Sequence, residues 1–383
     1  MKDGLHIIDS DLHVIEPSDV YEQYLDEEYR SVMPKYLGWA PTNFPHWEVQ
    51  GRIIPPWALD RDVANAQKYM DTPTEDVYRS IRERDYDAIS TLESMDVEGI
   101  DFAVLYRTFA HMVVSIDSLE AECAAAYCAA FNDWLADYCA TDPRRLKASA
   151  ILSLHDPEMA AAEARRAVEE KHHVAVVLLP MPVNGRYFNA PACDVLWQEL
   201  MRLRVPLTFH GTSGGACQDY VSNRFVGLPN FRTLNHASAF PFELMLALGA
   251  MILGGVLERF PGLRVGFLEG NCGWLPWWLE RLDDQWGKYG GGESIQLSAL
   301  PSEYFKRQCF IATDVDEEML KIVIDMIGDE NVVMSVDYPH ADGPFPHGID
   351  TFLELPGVGL ESKKKIMWDN CLRLYGFSDD LTT

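Results

Sequence analysis

Eight short apolar runs recur along the chain, at residues 6–11, 102–106, 146–154, 174–180, 206–211, 264–270, 310–315 and 332–339. They are nearly continuous rather than alternating, which is the pattern of parallel strands covered on both faces. Segments of helical period lie between them: an Ala-rich one at 119–141 that stops before Asp142-Pro143, then 157–171, 191–203, 241–260 and 317–327. Strand and helix alternating eight times predict an α/β fold, a (β/α)8 TIM barrel rather than a doubly wound sheet. One domain spanning residues 1–383 is expected. Residues 17–84 break the rhythm, being rich in Pro, Trp, Tyr and Asp without a clear period. Following the first strand directly, they are expected to form an irregular insertion, a lid over the C-terminal face of the barrel. Residues 342–357 have a similar loop character.

Charge narrows the partners. The 383 residues carry 32 Lys and Arg against 59 Asp and Glu, a formal charge of −27. Such a chain repels phosphate backbones and anionic membrane surfaces, and no basic run offsets this, so neither nucleic acid nor membrane is an expected partner. The apolar stretch at 244–257, flanked by Glu243 and Glu258, is shorter than the ~20 residues a bilayer span requires, and it is read as a buried helix. The eight cysteines are scattered and form no C-x-x-C, and no secretory leader opens the chain. Reduced core thiols in a cytoplasmic protein are expected.

Barrel active sites are built where strands end, so the polar residues there carry the chemical reading. The first run ends Asp9-Ser10-Asp11-Leu12-His13, with positions 9, 11 and 13 on one strand face. The fifth ends Thr208-Phe209-His210, the sixth Leu268-Glu269-Gly270, and the eighth Asp337-Tyr338-Pro339-His340. Imidazoles and carboxylates converging from four strands suit a divalent ion of borderline or hard character: Zn, Mn or Fe. Taken singly, each has a plainer explanation as a cap, a turn former or a hydrogen-bonded core residue. His236 is read in a loop before a helix opened by Pro241, within reach of the site as an acid or base. Tyr106 and Arg107, ending the second strand, are candidates for binding a substrate carboxylate or phenolate. Trp39, Trp47, Trp57 and Tyr69 in the insertion would give the pocket an aromatic cover, although ordinary packing explains them equally well.

These motifs, together with Phe131-Asn132-Asp133-Trp134, Asp142-Pro143-Arg144-Arg145, Glu258-Arg259-Phe260-Pro261, Gly273-Trp274-Leu275-Pro276 and Trp368-Asp369-Asn370, give the chain a recognisable likeness along almost its whole length. It resembles the amidohydrolase-2 branch of the amidohydrolase superfamily, which includes aminocarboxymuconate-semialdehyde decarboxylase and the resorcylate decarboxylases. The resemblance implies that Asp11, His13, His210 and Asp337 hold the metal, with Asp9 behind them orienting ligands or buttressing the strand. It also implies a homodimer. One departure stands out. Where the decarboxylases have a catalytic His after strand six, this chain has Glu269, which could act as a base, as a further metal ligand, or as a structural partner of Arg281.

The expected activity is a metal-dependent hydrolase or non-oxidative decarboxylase acting on a small carboxylic acid, aromatic or cyclic, with Glu269, His236 or His340 moving the proton. The alternative is a non-haem diiron oxygenase on the same barrel, with two metals per chain and Glu269, His236 and Glu16 as candidate added ligands. A non-catalytic binding barrel is the third reading.

Overall fold

The computed structural model describes residues 1–39, 45–54, 81, 83–212, 221–225, 227–340 and 343–378. Eight parallel strands form one sheet in the order β1 (Ile8–His13), β5 (Phe102–Tyr106), β6 (Leu146–Ile151), β7 (Ala175–Leu178), β8 (Leu207–His210), β9 (Val265–Leu268), β10 (Cys309–Asp314) and β11 (Val332–Ser335). Each overlaps one of the eight apolar runs, and nearly every strand residue is buried, which is why the runs do not alternate. The sheet curls until β1 meets β11, and side chains stitch that seam. Asp9 accepts hydrogen bonds from the Val336 N–H (2.9 Å) and the Asp11 N–H (2.9 Å), and the Ser335 hydroxyl donates to the Asp11 carbonyl (2.8 Å). The His13 N–H donates to the Tyr338 carbonyl (2.8 Å). The fold is a TIM barrel.

The helices between strands start and stop on local chemistry. Asp156 caps Pro157–Glu169 by accepting from the N–H groups of Glu158 and Met159, with Pro157 in the first turn, where its missing N–H costs nothing. Ala88–Glu98 is capped by Asp87 and ends at Gly99, whose φ of 81° is the left-handed stop that favours glycine. The helix after β8 departs from expectation. It runs Phe231–Leu253 with Pro241 inside it rather than at its start, so His236 lies on a helix and not in a loop. The same helix is longer than the apolar stretch that pointed to it, and its inner face is buried through Leu244, Leu248, Met251 and Ile252.

The irregular insertion holds more structure than its sequence suggests. Three antiparallel strands, β2 (Lys35–Trp39), β3 (Pro45–Val49) and β4 (Arg52–Ile54), form a small separate sheet. Trp47 is buried and its ring lies 5.5 Å from that of Phe109, so it packs against the loop after β5. Trp57 and Tyr69 lie outside the described residues. Buried carboxylates tie the loops of the C-terminal face together. Glu16 accepts from the N–H groups of Thr108, Phe109 and Ala110 at 2.8–3.1 Å. Glu317 does the same for Cys272 and Gly273, joining the loops after β9 and β10. Bonds to a charged acceptor contribute about 1.5–3 kcal/mol each, so the loops bearing the site stand on a fixed base.

Candidate metal centre and catalytic cavity

Four strand ends converge at the C-terminal mouth of the barrel. β1 supplies Asp11 and His13, and a bulge between Asp9 and Leu12 interrupts its register with β5. β8 ends in His210, Glu269 is the first residue past β9, and Asp337 is the second past β11. Glu269 (φ 47°) and Asp337 (φ 56°) both adopt left-handed backbone, a costly conformation for residues with side chains and one that gathers at functional sites.

The side chains meet closely. His210 Nε2 lies 2.8 Å from Glu269 Oε2, 3.1 Å from His13 Nε2 and 3.4 Å from Asp11 Oδ2. His13 Nε2 is 3.5 Å from both Glu269 Oε2 and Asp337 Oδ1, and 3.8 Å from Asp11 Oδ1. His340 sits over His13 with ring centroids 4.2 Å apart, its Nδ1 2.9 Å from Asp337 Oδ1 and its Nε2 3.1 Å from the Thr108 hydroxyl. Two sets have ligand atoms mutually close enough to share an ion: Asp11, His13 and His210, and His13, Glu269, Asp337 and His340.

The charges in this cluster ask for a cation. Asp11 is buried, and its Oδ1 has no hydrogen-bond partner. Burial, with the carboxylates of Glu269, Asp337 and Asp9 adding to it, pushes the Asp11 carboxyl well above the usual range. A buried, unpaired carboxylate beside other carboxylates is unfavourable unless a positive ion is present. The imidazoles are ready to bind one. Burial is the main cause that holds His13 well below its ordinary value and also lowers His210, so both rings stay neutral with lone pairs available. His13 Nδ1 faces the Arg107 carbonyl at 3.0 Å, and donating there leaves its Nε2 lone pair pointing into the cluster. His210 Nδ1 has two neighbours, the Gly211 carbonyl at 2.9 Å and Arg107 Nη1 at 2.7 Å. These contacts exclude each other, because the first needs an N–H and the second a lone pair. Only the first leaves Nε2 free for a metal. Imidazole with carboxylate suits Mn, Zn or Fe, and the residues present fit such an ion.

Glu269 therefore joins the ligand cluster. Burial pushes its carboxyl up, but a proton on Nε2 of His210 (2.8 Å) or His13 (3.5 Å), where a bound cation would take its place, outweighs that and holds it well below the usual range. Arg281 is engaged with Asp284 instead. Tyr106 and Arg107 are placed differently from the expectation that they bind substrate. Both are buried; Tyr106 packs its ring against His210 at 5.9 Å and bonds Tyr375 at 3.1 Å inside the barrel. Arg107 extends across the barrel to the end of β8, where its Nη2 donates to the His210 carbonyl at 3.0 Å, so it props a ligand rather than reaching out to substrate. Glu16 likewise serves the loops and not the metal cluster.

Above the cluster opens a cavity of about 300 Å³. Glu269 and Asp337 border it on one side, with Asn271, Asp314, Asp316, His236, Phe240 and Pro241 around them. His236 thus lies in the wall, and it belongs to neither ligand set. Two contributors escaped the sequence reading. Asp314 ends β10, a strand whose run was recognised but whose terminal residue was not weighed; its Oδ2 accepts from Asn271 at 2.6 Å. Burial first, then the carboxylates of Glu317, Glu269 and Asp316, push it up to about 7. His111, four residues past Arg107, is buried and bonded to the Thr212 hydroxyl.

Comparison with known proteins decides the family. The model described as amidohydrolase matches residues 8–377. The chain belongs to the amidohydrolase family. A curated relative, the decarboxylase orsB of Emericella nidulans, is 28% identical over 263 residues, covering 63% of this chain and 73% of its own length. Among solved structures, 5-carboxyvanillate decarboxylase from Novosphingobium aromaticivorans, complexed with manganese and 4-hydroxy-3-methoxy-5-nitrobenzoic acid, superposes with a TM-score of 0.70 at 18% identity, covering 98% of this chain and 97% of its own. Dihydroxybenzoic acid decarboxylase from Polaromonas, with bound manganese and 2-nitroresorcinol, gives 0.64 at 17% identity, covering 98% and 99%. The matches confirm this amidohydrolase's fold, and the diiron alternative finds no counterpart among them.

Proposed function

We propose that this amidohydrolase is a metal-dependent, non-oxidative decarboxylase of a hydroxylated aromatic acid. The observation that carries the reading is the buried, partnerless Asp11 oxygen within a ring of two neutral imidazoles and two further carboxylates, directly beneath a cavity of about 300 Å³. That volume suits a single substituted ring. Relatives and structural neighbours named as decarboxylases, of γ-resorcylate and of 5-carboxyvanillate among them, support the reaction class. A divalent ion held by Asp11, His13, His210, Asp337 and Glu269 would supply a Lewis-acid anchor for the substrate's oxygens. The protein's own groups do the rest. The bond between ring and carboxylate breaks, its electron pair stays on the ring carbon, and a proton takes the place of the departing CO2. His340, bonded to Asp337 at the cluster's edge, and His236 in the wall are the groups placed to deliver that proton. Glu269, held ionised between two imidazoles, is a ligand and not the acid.

The test is anaerobic incubation of the Mn-loaded protein with a panel of hydroxybenzoates, measuring CO2 against the arene formed. Equal amounts of each, lost on chelation, support the proposal. Turnover that requires O2, or that hydrolyses amides without CO2, refutes it.

We further propose a homodimer of cytoplasmic setting. Phe242, Leu246 and Leu253 stay exposed on Phe231–Leu253, beside Trp277 on Leu275–Tyr289 and then Ile322 and Met326 on Leu320–Ile327. These neighbouring helices each leave large apolar side chains exposed. Isologous pairing with a second copy would cover such side chains from both sides. The seven described cysteines are all buried free thiols, which supports a reducing compartment.

A further inference from the structure

The decarboxylases similar to this chain divide by the charge of their substrates. Some act on monocarboxylates such as γ-resorcylate, and others on dicarboxylates such as 5-carboxyvanillate. The cavity wall opposite the metal cluster bears on that choice, and the inference rests on the decarboxylase reading above. β10 runs out into Asp314-Val315-Asp316-Glu317-Glu318, and Asp314, Val315 and Asp316 all line the cavity. Asp314 uses Oδ2 to accept from Asn271 at 2.6 Å, and the residue lines the cavity. Glu317, three residues on, is held by the N–H groups of Cys272 and Gly273, and the Asn271 bond at 2.6 Å holds Asp314 itself. Besides the carboxylates, the polar residues of the wall are Asn271, His236 and Ser335, and among the described lining residues there is no Lys or Arg.

We propose that Asp314 is a specificity-determining residue: it accepts a hydrogen bond from a hydroxyl or amino group of the substrate and excludes a second carboxylate. The accepted substrate is then a monocarboxylic aromatic acid bearing a hydrogen-bond donor. A single carboxylate is matched by the metal. A second one, anywhere in so small a cavity, would face Asp314, Asp316, Glu269 or Asp337 at close range, and like charges in a partly buried wall repel strongly. A donor group instead meets a carboxylate acceptor in the lining.

Two inert probes differing in one group test this on the full-length Mn-loaded protein at pH 8. They are 2-nitroresorcinol and the same ring with a carboxylate added opposite the nitro group, 3,5-dihydroxy-4-nitrobenzoate. Binding is read by calorimetry, independently of turnover. The expected result is that 2-nitroresorcinol binds and that the added carboxylate weakens binding at least tenfold. Asp314→Asn, with its metal content and circular dichroism checked against wild type, should shrink that ratio several-fold, and Asp314→Lys should shrink it further. Equal or tighter binding of the carboxylated probe by the wild type, or an unchanged ratio in both variants, overturns the assignment of Asp314 and leaves the decarboxylase reading standing. If neither probe binds, the decarboxylase reading itself fails, and this inference with it.

Discussion

Asp11→Asn should make the metal-free protein more stable and the metal-bound protein less so. The contacts to His210 Nε2, 3.4 Å from Asp11 and 2.8 Å from Glu269, leave the two carboxylates no more than about 6.2 Å apart. At an effective dielectric constant of about 20, two unit charges at that separation repel by about 2.7 kcal/mol. At an unfolding entropy of about 2.1 cal/mol/K per residue, the chain of 383 residues converts this to roughly 3 °C of Tm. The sign depends on pH. A carboxyl whose folded pKa is raised keeps its proton in the native state, so the native state is favoured at acid pH and loses that advantage as pH rises through the interval up to its folded value. The raised Asp11 carboxyl behaves this way, whereas Asn never ionises. The gain from substitution should therefore be close to zero at pH 4 and grow as pH rises toward the raised folded value. With Mn bound the effect reverses. Removing one partner from a buried ion set costs about 3–5 kcal/mol, a weakening of metal binding by about 100-fold or more. Thermal denaturation of chelated and Mn-loaded samples, with calorimetric metal titration, reads both. A chelated variant that melts at or below wild type at pH 8, together with unchanged Mn affinity, would refute the argument.

Other outcomes follow from the same geometry. Chelation of the wild type should lower Tm by about 3 °C relative to protein holding metal at 100 times its dissociation constant, because such binding contributes about 2.7 kcal/mol. Glu16→Ala orphans the N–H groups of Thr108, Phe109 and Ala110 and should cost about 3 kcal/mol in denaturant unfolding; metal content by elemental analysis should not change, and a loss of metal would make Glu16 a ligand after all. Leu246→Glu, among the exposed apolar side chains, should convert a dimer to a monomer in light scattering, and an unaffected dimer would place the interface elsewhere.

The barrel was legible because each buried parallel strand is a continuous apolar run, and all eight runs became strands. The small sheet in the insertion was not, because β2 to β4 are three to five residues each and mix Gly, Trp, His and charged positions without period. Pro241 misled for a physical reason. Proline is favoured in a first helical turn, but the helix here opens ten residues earlier and accommodates it inside. In the site, the convergence of Asp11, His13, His210, Asp337 and Glu269 could be read from strand ends. The direction of Arg107 could not, since being one residue past a strand does not say whether a long side chain turns outward or, as here, reaches across the barrel to the end of β8. Asp314 was within reach of the same rule and needed only that the seventh strand be read to its last residue.

The central claim is one divalent ion at the convergence of these five side chains. A crystal of the Mn-loaded protein measured at the manganese absorption edge tests it most directly. The account predicts a single strong anomalous peak per chain within bonding distance of His13 Nε2 and His210 Nε2 and of carboxylate oxygens from Asp11 and Asp337, with Glu269 beside it. A peak elsewhere, or none in protein shown by elemental analysis to carry manganese, would contradict it.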